Sequence, residues 1–261
     1  MKIGAMNHPA GNPLEEIEWI GRHKFDFVDF TFEPPAADPS LIDSRAIRAV
    51  LERHGLGVVA HTAWYLPLGW PFASIRAACL SEFRRALQAA NGLGAKVMNV
   101  HYTKPLKFFS PEKLVDWHVE VLTPLCSEAA ALGMTIVLEH VPFAGRDQLE
   151  SIASILDRLS LLRFHLDSGH AKLERDYDRW EEYLDRLGRK LLHVHLSEND
   201  GTADQHLPLG AAPRSTTDWP LHIKKLKGTG YDGTITLEVF TTYKEHLLLS
   251  RELLRKWWGE V

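Results

Sequence analysis

The sequence predicts an α/β chain folded as a (β/α)8 TIM barrel, with residues 1–261 forming a single domain. Three observations lead there. The length, 261 residues, is that of one barrel. Short apolar or β-branched runs alternate with amphipathic helical stretches eight times, which is the pattern of a parallel sheet. Polar residues close three successive runs at His61, His101 and Glu139, 40 and 38 residues apart, the spacing of one strand-helix unit.

The elements follow in order. KIGAM, Lys2 to Met6, reads as the first strand, and Leu14 to His23 as a helix with Ile17 and Ile20 on one side. Phe25 to Phe32 is the second strand. Ser40 to His54 is a helix, with Ser40 as its N-cap and Gly55 just past its end. Gly57 to His61 is the third strand, and a long helix runs from Ala73 to Leu93, stopping before Gly94. Lys96 to His101 is the fourth strand. Ser110-Pro111 opens the next helix, with proline at its favoured first position, and Gly133 closes it. Met134 to Glu139 is the fifth strand, Gln148 to Leu159 a helix, and Leu162 to Asp167 the sixth strand. A helix at Asp178 to Leu187 leads to the seventh, Leu191 to Leu196. Trp219 to Lys227 leads to the eighth, Thr234 to Val239, and His246 to Trp258 is a closing helix. No linker or low-complexity stretch interrupts the series.

Composition narrows the function classes. The formal net charge of −4 gives no electrostatic footprint for nucleic acid, although a local basic rim or bound cations can outweigh a mildly acidic total. The two cysteines, Cys79 and Cys126, fall in helical segments, which argues against a disulfide framework and a cysteine-based zinc site. The start of the sequence lacks an apolar core of signal-peptide length, and no apolar run approaches the ~20 residues of a membrane helix. A soluble, cytoplasmic chain is expected. The 14 histidines are the informative excess.

Catalytic groups of this fold stand at the C-terminal ends of the strands. Strands three to eight there end in His61, His101, Glu139, Asp167 (with His170 three residues on), His195 and Glu238. The loop after the seventh strand adds Asp204 and His206. A ring of buried carboxylates and imidazoles repels itself unless something neutralises it, and a divalent cation is the economical solution. Mixed histidine and carboxylate ligation suits zinc, manganese, cobalt or iron better than calcium. His193 shares the facing of His195 one layer deeper, where it supports the ligands, and His140 points to the opposite face. His8, His23, His54, His118, His165, His222 and His246 read as structural or surface residues.

These residues resemble those of the xylose isomerase-like TIM barrel superfamily, which contains sugar isomerases and epimerases and also endonuclease IV. The resemblance covers nearly the whole chain. It is most specific in LEHVP at the fifth strand, HLDSGH at the sixth, HVHLSEND with DQHLPLG at the seventh, and YDGTITLEVF at the eighth. The epimerase pattern implies one metal held by Glu139, Asp167, His195 and Glu238, with His170 at a substrate-contacting position. An arginine that those epimerases carry six residues beyond the seventh-strand histidine is replaced here by Gly201, so their substrate contacts do not transfer whole. The endonuclease IV pattern implies three zinc ions on nine ligands, His61, His101, Glu139, Asp167, His170, His195, Asp204, His206 and Glu238, and all nine residue types are present.

The first functional expectation is a divalent-metal-dependent sugar or sugar phosphate isomerase or epimerase, with one to three zinc or manganese ions per chain. Glu139 and Glu238 would exchange a proton through a metal-stabilised enediolate, and His170 would move protons near an oxygen. Trp64 and Tyr65, with Trp70 and Phe72, would wall the sugar, Phe108 and Phe109 would extend the wall, and Arg214 would meet a phosphate. Lys104, Lys107, Arg146 and Lys172 are further rim cations. The alternative is a multinuclear zinc phosphodiesterase on abasic-site DNA, and only there is nucleic acid a partner. A barrel that binds without catalysis is the third class, and the intact Glu139 and Glu238 argue against it. The Trp257-Trp258 pair would close the barrel bottom or form a homo-oligomer interface.

Overall fold

The computed structural model describes residues 1–104, 108–142, 148–173, 177–212 and 217–261. Eight parallel strands close into a barrel in sequence order: β1 Lys2–Met6, β2 Phe27–Phe32, β3 Gly57–Thr62, β4 Val97–His101, β5 Thr135–Glu139, β6 Arg163–Asp167, β7 Leu191–Leu196 and β8 Thr234–Leu237. The closing seam pairs Lys2 with Thr234 and Ala5 with Leu237. The helices are α1 Pro13–Arg22, α2 Ser44–His54, α3 Ala73–Gly92, α4 Pro111–Ala131, α5 Leu149–Arg158, α6 Ser168–Leu173, α7 Trp180–Leu187, α8 Trp219–Gly228 and α9 Glu245–Glu260. Among the described residues no helix is long and apolar enough to cross a membrane.

Alternation along the strands divides the buried residues into two sets. Val28, Phe30, Met98, Val100, Ile136, Leu138, Leu166, Val194, Ile235 and Leu237 face outward and join the helices in one apolar core. The inward set is different. Asp29, Asn99, His165, His193 and Thr236 are fully buried polar residues inside the barrel. Below them the Phe27 ring lies so close to Gly4 that a Cβ there would sit 2.3 Å from it, which is why that inward position of β1 carries no side chain.

Local chemistry moves several predicted boundaries. Ser40 does not cap α2. Its N–H and hydroxyl both donate to Asp38 Oδ1 at 2.8 Å, and Asp43 caps instead, accepting from Ala46 N at 3.0 Å. Gly55 ends the helix in the left-handed region at φ 66°, as its position predicts. Helix α6 lies between the sixth strand and the Asp178 helix, where the sequence pattern predicts no element. It forms because Asp167 Oδ1 accepts from His170 N at 2.7 Å, so a single aspartate ends β6 and starts a helix. Cys79 and Cys126 are free and buried in α3 and α4, and burial pushes both thiols up to about 12. Trp257 stacks on Trp219 at 6.0 Å and so joins α9 to α8.

Candidate metal centre and substrate cavity

The strand ends meet at one mouth. Ladder register sets the pairs: His101 lies beside Glu139 across β4 and β5, and Asp167 beside His195 across β6 and β7. Glu238, one residue past β8, stays on the ladder through its N–H to Leu196 O at 3.1 Å. One ligand atom from each of Glu139, Asp167, His195 and Glu238 lies within 4.8 Å of the others, and all four residues are buried. His195 Nδ1 is central, 3.0 Å from Glu238 Oε2, 3.8 Å from Asp167 Oδ2 and 4.0 Å from Glu139 Oε1. Asp167 Oδ2 accepts no hydrogen bond among the described residues although it is buried. Three carboxylates around one imidazole nitrogen, one of them with a bare buried oxygen, is a donor set that fits a divalent cation.

Two further groups flank this one. His61 Nε2 and His101 Nε2 approach to 3.1 Å, and His101 Nε2 is 3.0 Å from Glu139 Oε2. Across the mouth, Asp204 Oδ2 lies 3.2 Å from His170 Nε2 and 3.4 Å from His206 Nε2, and His206 Nδ1 is 3.6 Å from Glu238 Oε2. His206 holds φ 48°, an uncommon conformation for a residue with a side chain. It is held there by Phe240 N donating to its carbonyl at 3.0 Å, while paired N–H groups between Glu198 and Leu207 fasten the loop. The nine residues singled out from the sequence as ligand candidates thus all reach this mouth.

The electrostatics follow from crowding. Burial opposes charge on His170, but Asp167, Asp204 and Glu139 outweigh it and raise its pKa well above the usual range. Burial likewise opposes His206, yet Glu238 and Asp204 raise it to about 9. Burial alone would raise Glu139, and His165 and His101 instead bring it well below the ordinary value. Asp167 goes the other way: burial raises it, His170 opposes, and the like charges of Glu238 and Glu139 add to the rise. The imidazoles therefore do not neutralise every carboxylate at the mouth.

Beneath the mouth lies a layer that sequence reasoning missed, apart from His193. Asp29 Oδ2 accepts from His195 Nε2 at 2.8 Å, His193 Nε2 at 3.1 Å and Thr236 Oγ1 at 2.8 Å. Asn99 Nδ2 donates to Glu139 Oε2, and Asn99 Oδ1 accepts from His165 Nδ1 at 3.0 Å. His165 is therefore structural, as read, but at the heart of the barrel, not at the surface. His140 does face outward, packing on Phe164 and Tyr183. It still serves the mouth: its carbonyl accepts from His170 Nδ1 at 2.8 Å, and its Nε2 accepts from Asp167 N at 3.1 Å. The alternation of polar residues in β2, VDF, was the one available signal for Asp29.

The mouth opens into a cavity of 370 Å³ lined by Glu139, Glu238, His170, Glu33, Trp64 and Phe240 among others. Trp64 also lines it while 62% exposed. Tyr65 is not a lining residue but hydrogen-bonds Glu33, whose pKa burial raises. Phe108 is 93% exposed and does not line the cavity, whereas Phe109 packs edge-on against Trp117 at 4.9 Å. Lys104 lines the cavity; Lys172 is instead committed to Glu198 Oε1 at 3.0 Å, Asn199 O at 2.6 Å and Thr217 Oγ1 at 3.0 Å. Arg214, Lys107 and Arg146 lie outside the described residues.

A family model described as xylose isomerase-like TIM barrel matches residues 17–257. An uncharacterised protein of Methanocaldococcus jannaschii is 26% identical over 85% of this chain and 77% of its own. Fructoselysine 3-epimerase of Escherichia coli O157:H7 is 27% identical over 62% of this chain and 61% of its own. A crystal structure of a D-tagatose 3-epimerase-like protein superposes over 100% of this chain and 98% of that one, with a TM-score of 0.84 at 23% identity.

Proposed function

The chain belongs to the xylose isomerase-like TIM barrel family, and from that premise we propose that it is a divalent-metal-dependent sugar isomerase or epimerase. The observation that supports this reading is the placing of two carboxylates, Glu139 and Glu238, in one buried cluster that also lines the cavity. The partial match to a fructoselysine 3-epimerase points the same way.

Glu139, Asp167, His195 and Glu238 would hold the ion. When bound, it supplies Lewis-acid polarisation of a carbonyl or hydroxyl oxygen and so acidifies the neighbouring C–H. The residues do the rest. Glu139 and Glu238 stand three strands apart around the closed sheet, so they approach a sugar from different sides, one taking a proton and the other returning it. Asn99, His101 and His165 hold Glu139 Oε2 and leave Oε1 to face the mouth. His170 donates Nδ1–H to His140 and turns Nε2 toward Asp204, a relay at the cavity wall. Trp64 and Phe240 supply apolar faces to the sugar, and Lys104 is the described cation that a phosphorylated sugar would meet. The Tyr65–Glu33 pair would act on substrate hydroxyls, Phe108 would contact substrate only at the outer rim, and Arg214 would meet a phosphate.

The test uses a ketose panel in D2O with the manganese- or zinc-loaded protein. Deuterium enters one carbon next to the carbonyl, and Glu139→Gln and Glu238→Gln each slow this about 100- to 10,000-fold with the fold intact. Near-normal exchange in either variant would show that the two-base scheme is wrong.

A second reading, a multinuclear phosphodiesterase on abasic-site DNA, is favoured by one feature. His101 Nε2 faces both His61 Nε2 and Glu139 Oε2, and one imidazole proton cannot serve both contacts, whereas a second cation on His61, His101 and Glu139 would. Three tightly held zinc ions per chain with cleavage of abasic-site DNA support this reading. One exchangeable ion without cleavage supports the first.

A further inference from the structure

We propose that Asp29 is a positioning residue of the metal centre, fixing the proton of His195 on Nε2 so that Nδ1 is left as a free lone pair among the three carboxylates. The proposal rests on the metal-binding part of the function given above and not on the identity of the sugar.

A neutral imidazole carries one proton, and the nitrogen without it is the ligand. Nδ1 is the nitrogen that faces Glu139, Asp167 and Glu238. Its counterpart Nε2 lies 2.8 Å from Asp29 Oδ2, and a carboxylate oxygen only accepts. Nδ1 lies 3.0 Å from Glu238 Oε2, a contact that a second proton serves when no ion is bound; once an ion takes Nδ1, the one remaining proton belongs on Nε2. Carboxylate-histidine pairs of this kind orient the ring and raise the basicity of the ligating nitrogen.

Asp29 is itself locked. It reaches from β2 across the barrel to β7 and β8, where Thr236 Oγ1 and His193 Nε2 donate to the same oxygen. His193 is fixed in turn, since its Nδ1 meets Thr234 Oγ1 at 2.8 Å. Asp29, His193, His195 and Thr236 are all fully buried, so water does not compete for these bonds. The His61 ring stacks on His195 at 5.3 Å and restricts its tilt.

The experiment combines calorimetric titration of metal-stripped protein with ZnCl2 and MnCl2 with ¹⁵N NMR of histidine-labelled protein, which reports which nitrogen bears the proton. In the zinc-loaded wild type His195 carries its single proton on Nε2. Asp29→Asn turns its amide oxygen to the three donors but loses the negative charge that holds Nε2–H and raises the basicity of Nδ1, and it binds either cation about 10- to 100-fold more weakly, with an unchanged far-UV spectrum. Thr236→Val, which frees one donor from Asp29 and keeps the shape, weakens binding less and serves if the first variant does not fold. A proton found on Nδ1 in the zinc-loaded wild type overturns the proposal, as does a folded Asp29→Asn with wild-type affinity. A wild type that binds neither cation overturns the proposed function together with it, whereas tight wild-type binding matched by both variants removes only the role of Asp29.

Discussion

In the middle of the barrel, Asp29 accepts three hydrogen bonds on one oxygen and Asn99 joins His165 to Glu139. One layer higher, Asp167 has a buried oxygen with no donor among the described residues, and four acidic side chains share the space with three histidines whose pKa values they raise. The two layers use the same residue types. The lower one is tied together through Asp29 Oδ2 and Asn99, although Asp29 Oδ1 and His165 Nε2 have no partner among the described residues, and those bonds rigidify the barrel. The upper one has more negative charge than its own protons neutralise, so it is ready for a cation and costs stability until one arrives.

Adding a cation should therefore act on the upper layer alone and have the largest effect. At 100 times its Kd, zinc or manganese should stabilise the protein by about 2.7 kcal/mol, read as a rise in Tm that a chelator reverses. An unchanged Tm would mean that the mouth needs no ion.

Breaking the lower layer should cost a similar or smaller amount. Thr236→Val removes a donor to a buried carboxylate and should destabilise the metal-free protein by about 1.5–3 kcal/mol in urea unfolding, the range for hydrogen bonds to charged groups. A neutral result would show that the bonds to Asp29 Oδ2 do not hold the lower layer together.

Smallest, and opposite in sign, is the effect of Asp167→Asn without metal. The folded pKa of Asp167 is raised by burial, with His170 opposing and Glu238 and Glu139 adding to the rise. The folded state therefore binds its proton more tightly than the unfolded one, and stability falls as pH rises from 3.8 through the folded pKa. Above the folded pKa the whole penalty is present, and there the asparagine, which still accepts from His170 N, should raise Tm slightly and flatten that part of the pH profile. If it lowered Tm as Thr236→Val should, the contrast between the layers would not hold.

Legibility differed in the same way between shell and interior. The eight strands were readable because outward positions such as Val28, Phe30, Val100 and Leu138 are apolar at period two and the helices α1, α2, α4 and α8 carry side-chain N-caps. Errors fell where short polar side chains choose partners, as with Ser40 and Asp43, or where one side chain starts an element, as Asp167 does for α6. Residue types at the strand ends marked the mouth. The Glu33–Tyr65 pair left no pattern, since nothing local requires an acid after β2 to meet a tyrosine after β3.

Sequence alone determined the order of the elements and which side chains stand at the C-terminal strand ends, because both follow from periodicity and from the direction of each strand. Tertiary structure decided which oxygen meets which nitrogen. Asp29 and His195 are 166 residues apart, and only closure of the sheet, which brings β2 to face β7 across a narrow interior, makes them partners.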